Sequence, residues 1–211
     1  MEENTPGLTR KRVRLKPEVR CQQILAAALA QFSRHGFAAA RIEDIASAVG
    51  LSKGGIYQHF ASKEQIFEAL LTTILPATQM TGGVWLPDGD MPLEAVIDAY
   101  LDRLYAVLQE PAAIATLRLM IAESTRVPDL IRRWQDQVLQ PHEAREQAIV
   151  DRLVERGVMR RCTLTQHFPL AVAPALLWAI RSMLVGDDAP QAAAQTRQVH
   201  RQLLLDMLRP A

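Results

Sequence analysis

Residues 41–63, RIEDIASAVGLSKGGIYQHFASK, decide the reading of the fold. Ile42, Ile45, Ala46 and Val49 recur at i, i+3, i+4 and i+7, the spacing that puts them on one buried face of a helix. Gly50 ends that helix, because glycine tolerates the left-handed backbone that closes many helices. Ser52 is placed to cap a second helix starting near Lys53, its hydroxyl accepting from a backbone N–H of the first turn. Ile56 and Phe60, at i and i+4, then pack inward and turn Lys53, Gly54, Tyr57, Gln58 and His59 largely outward. A cation, a residue small enough for close approach, an aromatic hydroxyl, an amide and an imidazole suit a major groove and its phosphates. The stretch reads as a helix-turn-helix.

The elements around it support that reading. Pro17 suits the first turn of a helix running to about His35, with Leu25, Ala28, Leu29 and Phe32 as its inner stripe. Ser62 caps a fourth helix carrying Ile66, Phe67, Leu70, Leu71 and Ile74, with Glu64 in its first turn where the helix dipole favours negative charge. Turn-forming residues crowd the stretch from Thr81 to Pro92, which separates a head from the remainder of the chain. The expected organisation is a basic arm over residues 1–16, a head over 17–80 and a second domain over 81–211.

Gly36-Phe37, Asp44-Ile45-Ala46, Gly54-Gly55-Ile56-Tyr57-Gln58-His59-Phe60 and Ser62-Lys63-Glu64 stand in one order at fixed offsets. In that order they resemble the DNA-binding domain of the TetR/AcrR family of bacterial transcriptional regulators, over roughly residues 18 to 71. The resemblance implies an all-α fold, with an N-terminal helix-turn-helix head and a C-terminal helical domain for ligand binding and dimerisation. It makes Arg41, Ser52, Lys53, Gly54, Gly55, Tyr57, Gln58, His59 and Lys63 the candidate DNA contacts. This chain departs from the family at the start of the second helix, where Ala40 and Arg41 stand in place of the usual Thr or Ser. Arg41 then takes the phosphate contact as a charge rather than a hydroxyl.

Charge is distributed to match. The net charge is +1, yet residues 8–63 hold ten Lys/Arg against three Asp/Glu, while residues 64–211 hold fourteen against eighteen. The run Arg10, Lys11, Arg12, Arg14 and Lys16 reads first as a solvated tail that raises local potential, and second as an arm into the minor groove. Cys21 and Cys162 are far apart and have no CxxC spacing, so they signal neither a disulfide framework nor a metal site. No apolar signal core opens the chain and no run of about 18 uninterrupted apolar residues occurs, so the expected place is the cytoplasm, with no membrane and no cofactor.

Beyond residue 92 the pattern is helical throughout. Residues 92–109 bury Val96, Ile97, Tyr100, Leu101, Leu104 and Leu108, and residues 112–126 bury Leu117, Met120 and Ile121. Residues 128–156 are too long for one uninterrupted helix: Pro141 should kink or split them and Gly157 should end them. The last two helices, about residues 166–186 and 190–208, carry Leu176, Leu177, Ile180, Met183 and Leu184, then Val199, Leu203, Leu204, Met207 and Leu208. In the resembled family that pair packs on its copy as a four-helix dimer interface. Independently, one helix-turn-helix touches few bases, and a two-fold pair reads successive major-groove faces about 34 Å apart. The alternative is that these residues are ordinary intrachain core.

A small-molecule effector is the remaining expected partner, beside double-stranded operator DNA and a second copy of the chain. Some of Trp85, Tyr100, Met120, Trp134 and Trp178 would line its pocket, although aromatic and Met residues at helical spacing are more often plain core. Arg118, Glu123 and Arg126 could orient a polar group, with surface pairing the plainer reading. The resemblance implies a repressor that ligand releases from a palindromic operator by favouring a dimer whose heads are wrongly spaced. Two other classes stand beside it. One is an architectural DNA-binding protein without ligand; the other is an enzyme, for which none of the five histidines lies in a local catalytic pattern.

Overall fold

Pro17 opens the first helix, α1 (Pro17–Ala39), where its missing N–H leaves no bond unmade. The structure, a computed structural model, describes residues 16–73, 91–185 and 190–210. The arm up to residue 15, the loop at 81–90, the boundary set at residue 80, Ile74 and the ligand candidate Trp85 lie outside the described residues. Ile24, Ala28 and Phe32 form the buried stripe of α1, while Leu25 and Leu29, expected in it, are half-buried at its edge. Gly36, at φ 76°, breaks the helical path and turns Phe37 back beneath the head. There Phe32, Phe37 and Phe67 stack with ring centroids 5.4, 5.9 and 5.0 Å apart.

Three further helices, α2 (Ile42–Ala48), α3 (Lys53–Tyr57) and α4 (Lys63–Thr72), complete the head. Their apolar residues meet as the spacing predicts, with Ile42, Ile45, Ala46, Ile56, Phe60, Ile66, Phe67, Leu70 and Leu71 all buried. Ser62 Oγ accepts from Gln65 N at 3.1 Å, and Gln65 Oε1 accepts from Ala61 N, so α4 is capped from both sides.

The body contains α5 (Leu93–Gln109), α6 (Pro111–Glu123), α7 (Pro128–Trp134), α8 (Gln140–Glu155), α9 (Thr163–Gln166), α10 (Ala173–Val185) and α11 (Pro190–Leu208). A π-type turn over Gln135–Leu139 joins α7 to α8. Pro141 explains it: with no N–H for the carbonyl four residues back and a ring that presses on it, proline needs the wider turn there. Along α5, Glu94 meets Arg209 just past the end of α11, and Asp98 and Asp102 meet Arg201 and Arg197 of α11, in reverse order, so these helices run antiparallel. Arg201 grips both oxygens of Asp98, at 2.8 and 3.0 Å, and holds its carboxyl below the usual range.

Two apolar clusters share α6. Leu117 packs into the body with residues of α5, α8, α10 and α11, whereas Leu119 packs into the head together with Leu130 and Trp134 of α7; Met120 touches both. Ile121, expected inside, is 52% exposed, and Glu123 takes the buried place at the end of the helix. Two of the dimer candidates also change assignment. Leu204 and Leu208 are 1% and 0% exposed and belong to the body core, because their side of α11 faces α5.

Gly36 sits where α6 meets the head: a Cβ built there would stand 3.1 Å from Glu123 Oε1. A Cβ on Gly50, at φ 66°, would meet nothing within 4 Å. Gly36→Ala therefore combines backbone strain with a steric conflict and is expected to cost up to about 3 kcal/mol, against about 1–2 kcal/mol for Gly50→Ala, which meets backbone strain alone. Urea denaturation of the two variants beside the parent measures the difference; equal losses would remove the Gly36–Glu123 contact from the account.

Candidate nucleic-acid interface

Helix α3 has five residues, too few to hold its shape alone, so capping and burial fix it. Ser52 Oγ accepts from Gly55 N at 3.1 Å, and Ile56 and Phe60 are buried beneath the helix. What this leaves outside is a contiguous polar set: Arg41, Ser52, Lys53, Gly54, Tyr57 and Gln58 are all exposed. A Cβ at Gly54 would find only Ser52 Oγ, 3.8 Å away, so the helix backbone is open to a close approach from outside. Arg41 precedes α2 without a side-chain cap, as its type requires.

Lys53 Nζ lies 2.7 Å from Glu43 Oε1. The pair lowers the Glu43 pKa and raises that of Lys53, chiefly through their hydrogen bond. Both side chains are more than half exposed, so solvent screens the pair and a phosphate can replace the carboxylate at little cost.

Three candidate contacts take other places. Gly55 is half-buried, its would-be Cβ 3.3 Å from Leu51 Cβ, so its small size serves packing inside the turn. His59 is half-buried as well, with Nδ1 3.7 Å from Cys21 Sγ, and ties the end of α3 back to α1. Lys63 departs furthest from the outward role. Its ammonium donates to the carbonyls of Phe37, Ala38 and Ala40 at 2.7, 3.1 and 3.1 Å and sits 4.6 Å from the Phe37 ring centroid. An ammonium has three donors, and all are taken. Lys63 caps the carbonyls left open where Gly36 ends the helical path of α1, a partnership across 23 to 26 residues that no local pattern reveals.

The ligand candidates do not gather at one point. Trp134 belongs to the cluster around the head and Trp178 to that of the body, with Met120 between them. Tyr100 is half-buried and packs edge-on against Phe168 at 5.2 Å. Glu123 is held at the head–body seam with Arg126 Nη1 3.3 Å from Oε1, and Arg118 reaches the Met183 carbonyl at 3.5 Å. Between head and body lies a groove of about 380 Å³, lined by residues that include Leu25, Leu29, Leu70, Val107, Ala113 and Thr116. Leu25 and Leu29 line it because they fall at the edge of the α1 stripe.

Comparison with known proteins adds the family. Residues 24–70 match the family described as bacterial regulatory proteins, tetR family, and residues 95–207 match the AefR-like transcriptional repressor, C-terminal domain. The HTH-type transcriptional repressor SCO4008 of Streptomyces coelicolor is 30% identical over 167 residues, 79% of this chain and 77% of its own. The HTH-type transcriptional activator FasR of Mycolicibacterium smegmatis is 30% identical over 166 residues, 70% of this chain and 74% of its own. Among solved structures, a TetR family transcriptional regulator from Pseudomonas syringae superposes with a TM-score of 0.70 at 16% identity, covering 90% of this chain and 96% of that one.

Lys63 and Tyr57 should fail differently when truncated. Lys63→Ala strips three charge-assisted hydrogen bonds from carbonyls and is expected to cost about 2 kcal/mol or more of head stability, with the salt dependence of DNA binding unchanged. Tyr57→Ala should leave the melt unchanged and weaken operator binding by about 1 kcal/mol or more. Thermal melts beside DNA titrations at several salt concentrations separate the two. A salt slope reduced by about one in Lys63→Ala would restore that residue as a phosphate contact.

Proposed function

The chain belongs to the TetR family of DNA-binding transcriptional regulators, and from that premise we propose that it is a homodimeric repressor, released from a palindromic operator by a small apolar or aromatic effector. The observation that carries the reading is the exposed set Arg41, Ser52, Lys53, Gly54, Tyr57 and Gln58 on a capped and anchored α3. In it Tyr57 and Gln58 meet base edges or the adjoining backbone, Gly54 lets α3 approach, and Arg41 and Lys53 meet phosphates. Ser52 offers its hydroxyl at the same end of α3. A head with this task works in the compartment that holds the chromosome, the cytoplasm.

Dimerisation is supported by an apolar stripe that the protomer leaves uncovered. Leu177, Leu184, Val199 and Leu203 are exposed, Leu184 by 79%, and Leu176, Ile180, Met183 and Met207 beside them are half-buried. Residues 168–185 have the length and mean hydropathy, 1.7, of a membrane span. In a DNA-binding chain whose α10 also packs on α5 and α11, that apolar character reads as a face for a second copy.

Release would act through α6, which is packed into both clusters. An effector that binds better to one seating of α6 in the body shifts the population of head positions by that difference in affinity, and by no more. Repression rests on the repressor relative and the repressor-type C-terminal domain, and the activator relative makes direction of control part of the test.

Selection of genomic fragments by the purified protein is expected to recover two-fold symmetric sites with half-sites about one helical turn, roughly 34 Å, apart or a multiple of it. Transcription from such a site in vitro should fall when the protein is added. A rise would make the protein an activator, and selection of no sequence above background would overturn operator recognition altogether. The double variant Leu177→Glu with Leu184→Glu places charges in the proposed dimer face and should be monomeric by light scattering, keep a cooperative melt, and lose operator affinity by about 10³-fold. A dimer of parental size would move the interface elsewhere.

A further inference from the structure

The groove of about 380 Å³ between head and body takes its walls from both. Its apolar lining is Leu25, Ala26 and Leu29 of α1, Leu70 of α4, Val107 of α5 and Ala113 of α6. No aromatic ring stands among the described lining residues, so the walls offer aliphatic surface rather than a stacking face. A space of that size falls within the range of small-molecule sites, roughly 300–1,000 Å³.

The polar side chains of the lining are mostly acceptors. Thr73 Oγ1 donates to the Leu70 carbonyl at 2.7 Å and Thr116 Oγ1 to that of Ala112 at 2.8 Å. Each hydroxyl has thereby spent its one hydrogen and keeps lone pairs. Glu110, exposed just before α6 and making no side-chain cap bond to it, adds a carboxylate. Among the described lining side chains the Gln22 amide alone has hydrogens to give, and no Lys, Arg or His stands with it.

We propose that this groove is the effector site, and that the effector is a small protonated aliphatic amine, its hydrocarbon on the leucine and alanine walls and its ammonium against Glu110. The assignment rests on the reading of the chain as a regulator released by ligand. A carboxylate in the groove would meet a second carboxylate and two acceptor hydroxyls, whereas an ammonium brings three donors and the opposite charge. Because Glu110 is exposed, that charge stays in water while the hydrocarbon is buried. Because the walls belong to head and body alike, the contacts of the amine change whenever α1 and α4 shift against α5 and α6. Such a difference in affinity between seatings is what moves a population of head positions.

Octylamine, 1-octanol and octanoate, each below its micellar concentration, share a chain and differ in the head group. In calorimetric titration of the full chain octylamine should bind roughly three- to fivefold more tightly than octanol, the worth of an exposed ion pair, and octanoate most weakly. The advantage of the amine should fade in about 1 M salt. In Glu110→Gln octylamine should fall to the level of octanol, while octanol affinity and the melt stay parental. Ala26→Phe, at an exposed position of α1, puts a ring into the groove and should abolish binding of all three; Ala106→Phe on α5 repeats the test if that variant does not melt cooperatively. Octylamine should also lower affinity for a duplex recovered by the genomic selection, in the parent and not in Ala26→Phe. Equal binding of amine and alcohol, tighter binding of octanoate, or an amine preference that survives Glu110→Gln would overturn the cationic effector. Binding that persists with a ring in the groove would overturn the site. If octylamine binds there and leaves duplex affinity unchanged, the groove is not the effector site. If some other compound releases the duplex equally well from the parent and from Ala26→Phe, release by ligand stands and this site falls.

Discussion

The seating of the head on the body depends on α6, a helix with two apolar faces that are buried in different cores. Leu117 is enclosed by the body and Leu119 by the head, two residues apart and so on opposite sides of the helix. Fully burying a leucine is worth about 1.5–3 kcal/mol, so neither face can be withdrawn without loss. Glu123 at the helix end lies against the Gly36 break in α1 and fixes where α6 meets the head. A shift of α6 in the body must then be answered in the head, since packed interiors deform little.

The head in turn is preorganised by contacts that face away from any nucleic acid. Ser52 holds the start of α3, Ile56 and Phe60 its underside, and His59 its end, against Cys21. Lys63 closes the last carbonyls of α1, which keeps Phe37 under α4 and in contact with Phe67. Because the scaffold supplies this order in advance, Tyr57 and Gln58 need not bring ordering entropy to a complex as they would on a mobile loop. The ion pair between Lys53 and Glu43 does the same for a charge: it holds the ammonium in position and exchanges easily because it is solvated.

Local periodicity made the head legible. Ile42, Ile45, Ala46, Ile56 and Phe60 are buried where the spacing puts them, and Ser52 and Ser62 cap the helices they precede. What the pattern could not show is pairing at a distance. Lys63 and His59 sit among residues that face outward, yet each finds a partner more than 20 residues earlier in the chain. In the body, helical spacing marks an apolar face without saying which neighbour covers it. Leu203 and Leu204 are adjacent on α11, yet one is exposed and the other is in the core, and Trp134 and Trp178 lie in different clusters. Tyr105 and His200, 95 residues apart, meet only through the antiparallel packing of α5 and α11, which no local pattern shows.

The seam itself has a property that suits a switch. Glu123 Oε2 and Trp134 Nε1 are both closed off from solvent without hydrogen-bond partners, and both belong to the elements that join head to body. Such a group costs about 1–3 kcal/mol, so the observed seating is not the one that satisfies every polar atom. An effector that weakens operator binding tenfold needs a coupling of about 1.4 kcal/mol between the two sites, and the operator must weaken effector binding by the same factor. A fully bonded seam would have to break hydrogen bonds to move. A shift of α6 that gave either group a partner would return free energy of that size.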